Sequence, residues 1–199
     1  MHTKADDLHA FLRTRRSIRR FKPDPLPAAV IERILATATY APSAHNAQPW
    51  RFAVVTDSSV KARLGEALTH MMRADMQVKG APEAEIEARV VRSLRRMNEA
   101  PVVIVLCRDA TAVRADAPEE TIMAIQSVAA AGLQLLLAAH AEGLGGNWIC
   151  WPLYAQEETR AALGLPDTWE PQAMVFIGYP DEKPKPKERK PMQEVVRYL

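Results

Sequence analysis

TIMAIQSVAAAGLQLLLAAHA, residues 121–141, followed by EGLGGNW, residues 142–148, is the stretch whose reading decides the fold. Its spacing predicts one long helix that is apolar nearly all round, through Ile122, Ile125, Val128, Leu133, Leu135, Leu136 and Leu137. A helix without a polar face has to be covered on every side. A chain of 199 residues seldom encloses one that long, so a subunit interface is expected. Its longest apolar run, residues 128–141, is interrupted by Gln134 and His140 and falls short of a bilayer span. Gly143-Leu144-Gly145-Gly146 reads as the helix end, and residues 147–154 as an aromatic-rich turn.

Outward from there, PVVIVLC at 101–107 is a continuous apolar run and predicts a buried strand. QAMVFIGY at 172–179 and RFAVVT at 51–56 predict two more. Helices are predicted at 28–40, over most of 60–98 with a break at Gly80-Ala81-Pro82, and at 156–163. A first short helix would be capped by Asp6 or Asp7. The 60–98 segment is rich in charge and in Met71, Met72, Met76 and Met97, which suits either a mobile cover over a site or an amphipathic surface pair. Few strands among many helices predict an α+β fold, a small mixed sheet packed by helices, in a single domain over residues 1–199.

Hydrophobic residues make up 48% of the chain and charged residues 25%, enough apolar material for a real core. A net charge of +2 argues against a nucleic-acid partner. The basic residues gather at Arg13, Arg15, Arg16, Arg19, Arg20 and Lys22, and again at Lys183, Lys185, Lys187, Arg189 and Lys190. Two such clusters either meet around one small anion or are two solvated tails. Cys107 and Cys150 lack CxxC spacing, which supports neither a disulfide framework nor a metal site. The first residues carry no signal-type apolar core, so a cytoplasmic protein without a membrane partner is expected. Neither GxGxxG nor GxxxxGK[ST] occurs, which removes the usual Rossmann and P-loop nucleotide sites.

Four constellations can carry chemistry. In Arg15-Arg16-Ser17-Ile18-Arg19, planar guanidinium forks and a hydroxyl match phosphate oxygens; a basic helix end would look the same. In the proline-bounded loop 42–50, Ser43, Asn46 and Gln48 offer donors and acceptors to a ring edge or to hydroxyls, while Trp50 reads as a core anchor. His45 is either a general acid or an ordinary loop histidine. Gly145 and Gly146 would let backbone pass against a flat ring, or simply close the helix. Lys187 to Lys190 is the fourth, a basic tail on its own.

Taken in order, RRSIR at 15–19, APSAHNAQPWRFAVV at 41–55, GLGGNW at 143–148 and KERKP at 187–191 with its following EVV resemble the nitroreductase family of FMN oxidoreductases. The spelling is most similar to the flavin domain of coenzyme F420 γ-glutamyl ligases. The resemblance implies an intertwined homodimer with FMN at the subunit interface. Arg15, beside Arg16 and with Lys187 and Arg189, would clamp the phosphate and ribityl end, and Ser17 would add a polar contact. Arg19 would sit by the pyrimidine edge. Ser43 and Asn46 would reach the flavin from the partner subunit, and Gly145 and Gly146 would face N5. No catalytic side chain and no metal are implied. The implied activity moves hydride from NADH or NADPH to an electron-poor small molecule such as a quinone or nitroaromatic. Alternatives are a specialised acceptor such as a deazaflavin precursor, dehalogenation, oxygen-dependent flavin breakdown, a flavin-binding protein without turnover, or a basic interaction module at 183–190. Two departures stand out. Neither the Asn nor the Lys that several nitroreductases direct at the pyrimidine is assigned to a residue within 67–79, and Leu144 stands where some branches carry Glu.

Overall fold

The structure, a computed structural model, describes residues 3–184 and 187–199, so Lys185 of the second basic cluster lies outside the described residues. Four strands form one antiparallel sheet in the order β1-β2-β4-β3: β1 (Trp50–Val55), β2 (Val102–Asp109), β3 (Gly145–Ile149) and β4 (Trp169–Gly178). All eight residues of β2 are buried, which is why its sequence shows no polar alternation. Val102, Ile104 and Leu106 face a layer made by α2 (Ala28–Ala38) and α5 (Pro118–Ala141). Val103, Val105 and Cys107 face the opposite layer of α3 (Ser58–Val78), α4 (Glu83–Glu99) and α6 (Gln156–Leu163). Burial there pushes the Cys107 thiol up to about 12, leaving it inert as a nucleophile.

Three expectations need correction. The strands pair only antiparallel; the mixed character is confined to one parallel bridge from Ser17 to Gly146, on the outer side of β3. β3 itself was expected as a helix end and a turn, but its five residues pair with β4 from Gly145↔Gly178 to Ile149↔Met174. The first helix, α1 (Lys4–Thr14), is capped by Thr3, whose hydroxyl accepts from the Asp6 N–H while Asp6 reaches back to the Thr3 backbone.

α5 lies against the sheet with Ala124, Val128, Ala131, Leu135 and Ala139 buried, and the loop 43–48 rests on its first half. On length and composition its 24 residues can cross a membrane, more than the 128–141 run suggested; the buried face is that of a core helix. The other face shows Ile122, Ile125 and Leu133 to solvent at three- and four-residue spacing, together with Ala129. Within one chain the helix is therefore covered on only part of its circumference.

Gly132 sits in the middle of α5 where it crosses the sheet. A Cβ there would lie 2.2 Å from Trp148 Cζ3 and 2.7 Å from Leu106 Cδ1. Alanine gains about 1 kcal/mol of helix propensity over glycine, but overpacking a tight core costs about 1–3 kcal/mol. With a ring and a buried leucine in the way, packing wins. Gly132→Ala is expected to lower stability by about 1–2 kcal/mol, seen as a lower urea midpoint at unchanged slope. A raised midpoint would show that this crossing is loosely packed.

Candidate functional site

Residues 15–22 leave α1 as an extended strap along the edge of β3. The Ile18 N–H donates to the Gly146 carbonyl at 3.0 Å. The strap comes this close because Gly145 has no side chain, and α5 because Gly146 has none. A Cβ on Gly145 would stand 2.7 Å from Ile18 Cβ, and one on Gly146 2.5 Å from Leu136 Cδ2. The glycines expected to accommodate a ring are thus required first by the packing of Ile18 and α5. Beyond the strap, Phe21 bridges Pro180, the Lys22 N–H donates to Tyr179 O at 2.9 Å and the Asp181 N–H to Arg20 O at 3.0 Å. Chain from near both termini meets at this edge.

A pocket of about 290 Å³ opens between these segments, with Thr14, Arg15, Arg16, His140, Gly145, Gly146 and Glu182 in its wall. Arg16 turns its guanidinium onto the carbonyls of Arg13 and, at 2.8 Å, Arg15, where it caps the end of α1. Arg15 donates no hydrogen bond among the described residues, so its planar fork is free for a ligand.

His140 closes one side. Its ring stacks on Phe11 with centroids 4.9 Å apart, and Nε2 lies 3.0 Å from the Thr14 hydroxyl. That hydroxyl gives its proton to Phe11 O at 2.8 Å, so it accepts from the imidazole. A neutral ring protonated on Nε2 satisfies the contact. Burial and the nearby Arg15 charge hold the His140 pKa below its ordinary value.

Glu182 closes the other side. One of its oxygens accepts the Arg19 N–H and, at 3.1 Å, the Arg20 N–H, while the other lies 3.6 Å from Arg20 Nε. Burial opposes its charge, but the two N–H donors and the arginines outweigh it, and its pKa is lowered. Behind the strap, α4 brings up Arg96. Burial together with the like charges of Arg19, Arg92 and Arg95 lowers its pKa, partly offset by Glu182.

The sequence-predicted residues are only partly united. Arg15, Arg16, Gly145 and Gly146 share the pocket wall, and Ser17 bridges Gly146 beside it. Arg19 is exposed next to Glu182 and Arg96. Lys187 and Arg189 are exposed, and the Arg189 guanidinium donates to Glu188 O at 3.2 Å; the C-terminal segment reaches the pocket through Pro180, Glu182 and Pro184 instead. Ser43 and Asn46 are elsewhere. Their loop is tied to α5 by the Ala44 N–H on Ser127 Oγ at 3.2 Å. Ser127 stands nine residues before Leu136 of the pocket, about 14 Å along the helix. Three non-glycine residues of the loop take positive φ: His45 at 55°, Asn46 at 53° and Gln48 at 48°. Ser43 Oγ holds the turn by accepting the Gln48 N–H at 3.1 Å. Such conformations cost of order 1–3 kcal/mol each, and they cluster where side chains are presented to a ligand. His45 lies 3.6 Å from Glu120 at the start of α5.

Sequence reasoning missed Thr14, His140, Glu182 and Arg96. A carboxylate set inside a basic segment was a visible signal for Glu182; nothing local marked the other three. Chemically, a free guanidinium fork, a neutral imidazole and a glycine-lined wall beside further arginines suit a flat, phosphorylated ligand. The donor set therefore fits FMN.

The model of the Nitroreductase family matches residues 12–179. A 5,6-dimethylbenzimidazole synthase from Rhodospirillum rubrum is 34% identical over 189 residues, covering 89% of this chain and 84% of that protein. An NADH dehydrogenase from Thermus thermophilus is 35% identical over 193 residues, covering 92% and 91%. Among solved structures, the NADPH:FMN oxidoreductase from Vibrio harveyi complexed with NAD+ shares the fold with a TM-score of 0.77 at 23% identity, over 96% of this chain and 76% of that one.

The depressed His140 pKa has a sign that can be checked. Below its ordinary value of 6.5 the unfolded chain takes up the proton before the folded one does. Stability should fall as pH drops through that window and level off once the folded ring protonates. His140→Gln should flatten the slope between about pH 7 and 5 in urea unfolding. Identical slopes in the two proteins would remove His140 from the titration.

Proposed function

The chain belongs to the nitroreductase family, and from that premise we propose that it is a cytoplasmic, homodimeric FMN oxidoreductase built as one domain over residues 1–199. It would take hydride from NADH or NADPH and deliver it to an electron-poor small molecule such as a quinone or a nitroaromatic. The observation that carries the reading is the pocket where the Arg15–Arg19 strap meets Gly145 and Gly146. FMN, when bound, supplies a ring that accepts hydride from the nicotinamide and passes it on.

The chain's own residues bind, orient and set charge. Arg15 would hold the phosphate with its free fork, and Lys187 and Arg189 would reach that phosphate from the C-terminal segment. Ser17, next to the Gly146 bridge, adds a hydroxyl donor. Arg19 and Arg96 would place two guanidinium groups at the pyrimidine edge, where added negative charge is best stabilised. Arg96 would thereby serve as the basic residue that several nitroreductases direct at the pyrimidine. Gly145 and Gly146 would offer backbone to the ring, with Ile18 and Leu136 filling their side-chain places.

Two observations support the dimer. The α5 strip of Ile122, Ile125 and Leu133 is exposed, as are Leu8 and Leu12 of α1, an apolar surface of the kind that pairs subunits. The 43–48 loop, strained and set about 14 Å from the pocket along α5, presents Ser43 and Asn46 to no ligand of its own chain. If α5 packs antiparallel on its copy, Ser43 of the partner subunit approaches the pocket.

A second reading comes from the Rhodospirillum rubrum relative, a 5,6-dimethylbenzimidazole synthase: formation of 5,6-dimethylbenzimidazole. Product analysis after aerobic incubation with FMN and NADPH separates it from acceptor reduction.

The purified protein should be a yellow dimer that binds FMN and oxidises NADH or NADPH when a quinone is added. Arg15→Ala should weaken FMN binding roughly 10–100-fold, the loss of one charged hydrogen-bonding pair. Arg19→Ala should weaken FMN binding or make the bound flavin harder to reduce. A colourless protein that ignores added FMN would end the proposal.

A further inference from the structure

α4 carries a basic ridge that the FMN contacts above do not account for. Arg92, Arg95 and Arg96 lie in the last turns of the helix, which ends at Glu99. Arg92 and Arg96 are four residues apart and share a face. Arg96 is half-buried, with Arg19, Arg92 and Arg95 all acting on it as like charges and Glu182 as the opposing one. Glu182 is already engaged by the strap's N–H groups. Arg95 has Glu99 at 3.7 Å, but both side chains are exposed, so the pair is weak. Arg92 makes neither an ion pair nor a hydrogen bond among the described residues. A ridge of guanidinium groups thus starts beside Arg19 and runs outward with too little negative charge to balance it.

The ridge borders an open apolar patch on the same face of α4, formed by Ala88 and Val91 with Glu87, Arg92 and Arg95 around it. Val91 is 63% exposed there. The one acid beside the patch, Glu87, is held by both carboxylate oxygens on Arg73, at 2.7 and 3.1 Å, so its charge is countered. An exposed apolar patch flanked by guanidinium groups suits a flat heterocycle that carries phosphates.

We propose that Arg92 and Arg95 bind the phosphates of the dinucleotide hydride donor, with its adenosine over Ala88 and Val91, and that they favour NADPH over NADH. The proposal rests on the flavin reading above, because a nicotinamide reaching a ring beside Arg19 and Arg96 must lay its charged remainder along the adjoining surface. NADPH carries one phosphate monoester more than NADH, with a charge near −2 at neutral pH, and the unpaired Arg92 fork is matched to it.

The test compares wild type with Arg92→Ala/Arg95→Ala, both loaded with FMN. Anaerobic reduction of the bound flavin is followed with NADPH, NADH and N-benzyl-1,4-dihydronicotinamide, which carries no phosphate. The double variant should need about tenfold or more NADPH for half-maximal rate, and a smaller increase of NADH. The limiting rate and the rate with the phosphate-free donor should stay within about twofold. Arg92→Lys should recover part of the NADPH affinity, since it keeps the charge and loses the fork. Unchanged NADPH dependence in the variant overturns the inference, and so does an equal loss with the phosphate-free donor. Wild type that holds no FMN would instead sink the flavin reading, so the two failures can be told apart.

Discussion

The Ile18 amide reaches the Gly146 carbonyl at 3.0 Å, and every other feature of the pocket follows from that approach. It is possible because residue 145 carries no Cβ, leaving its place to Ile18, while the missing Cβ of Gly146 makes room for Leu136 of α5. The contact lays the strap along an edge strand whose outer N–H and C=O groups would otherwise be unpaired. With the strap fixed, Arg15 faces the pocket, Arg16 caps α1, and the Arg19 and Arg20 amides are set for one carboxylate. Glu182 then fastens the C-terminal segment to the N-terminal one. Hydrophobic burial of Ile18 and Phe21 in the layer beneath holds the strap down, so the polar contacts orient rather than drive it.

Charge is distributed unevenly around this frame. Glu182 gathers Arg19, Arg20 and Arg96 near one carboxylate, and burial with the Arg15 charge lowers the His140 pKa. The result is a pocket whose wall is cationic without being saturated. Such a wall favours an anionic ligand and stabilises charge added to it, which is what a flavoenzyme of this family asks of its protein.

Much of the fold was legible in the sequence, for physical reasons. β2 reads as a strand because it is buried on both faces, and α5 as a helix because an apolar run of that length has no other compact form. β3 was not legible: it has only five residues, begins with two glycines, and follows a helix that glycine usually ends. Strand direction was also out of reach, because pairing partners are set by tertiary contacts. At the site, Arg15, Arg16, Gly145 and Gly146 were recognisable from their motifs and do share a pocket. Arg96 and His140 were not, and Glu182 only as a carboxylate within a basic segment, since each matters through a neighbour more than seventy positions away in sequence. The Ser43 loop was recognisable as special, and its positive φ values agree, but its own chain gives it no pocket to line.

The most direct test of this account is a crystal structure of the protein with FMN bound. The account predicts the isoalloxazine against Gly145 and Gly146, its phosphate on Arg15, and Ser43 and Asn46 of a second copy completing the site across paired α5 helices. FMN bound far from the strap, or a single copy enclosing the whole ring with its own 43–48 loop remote from it, would contradict it.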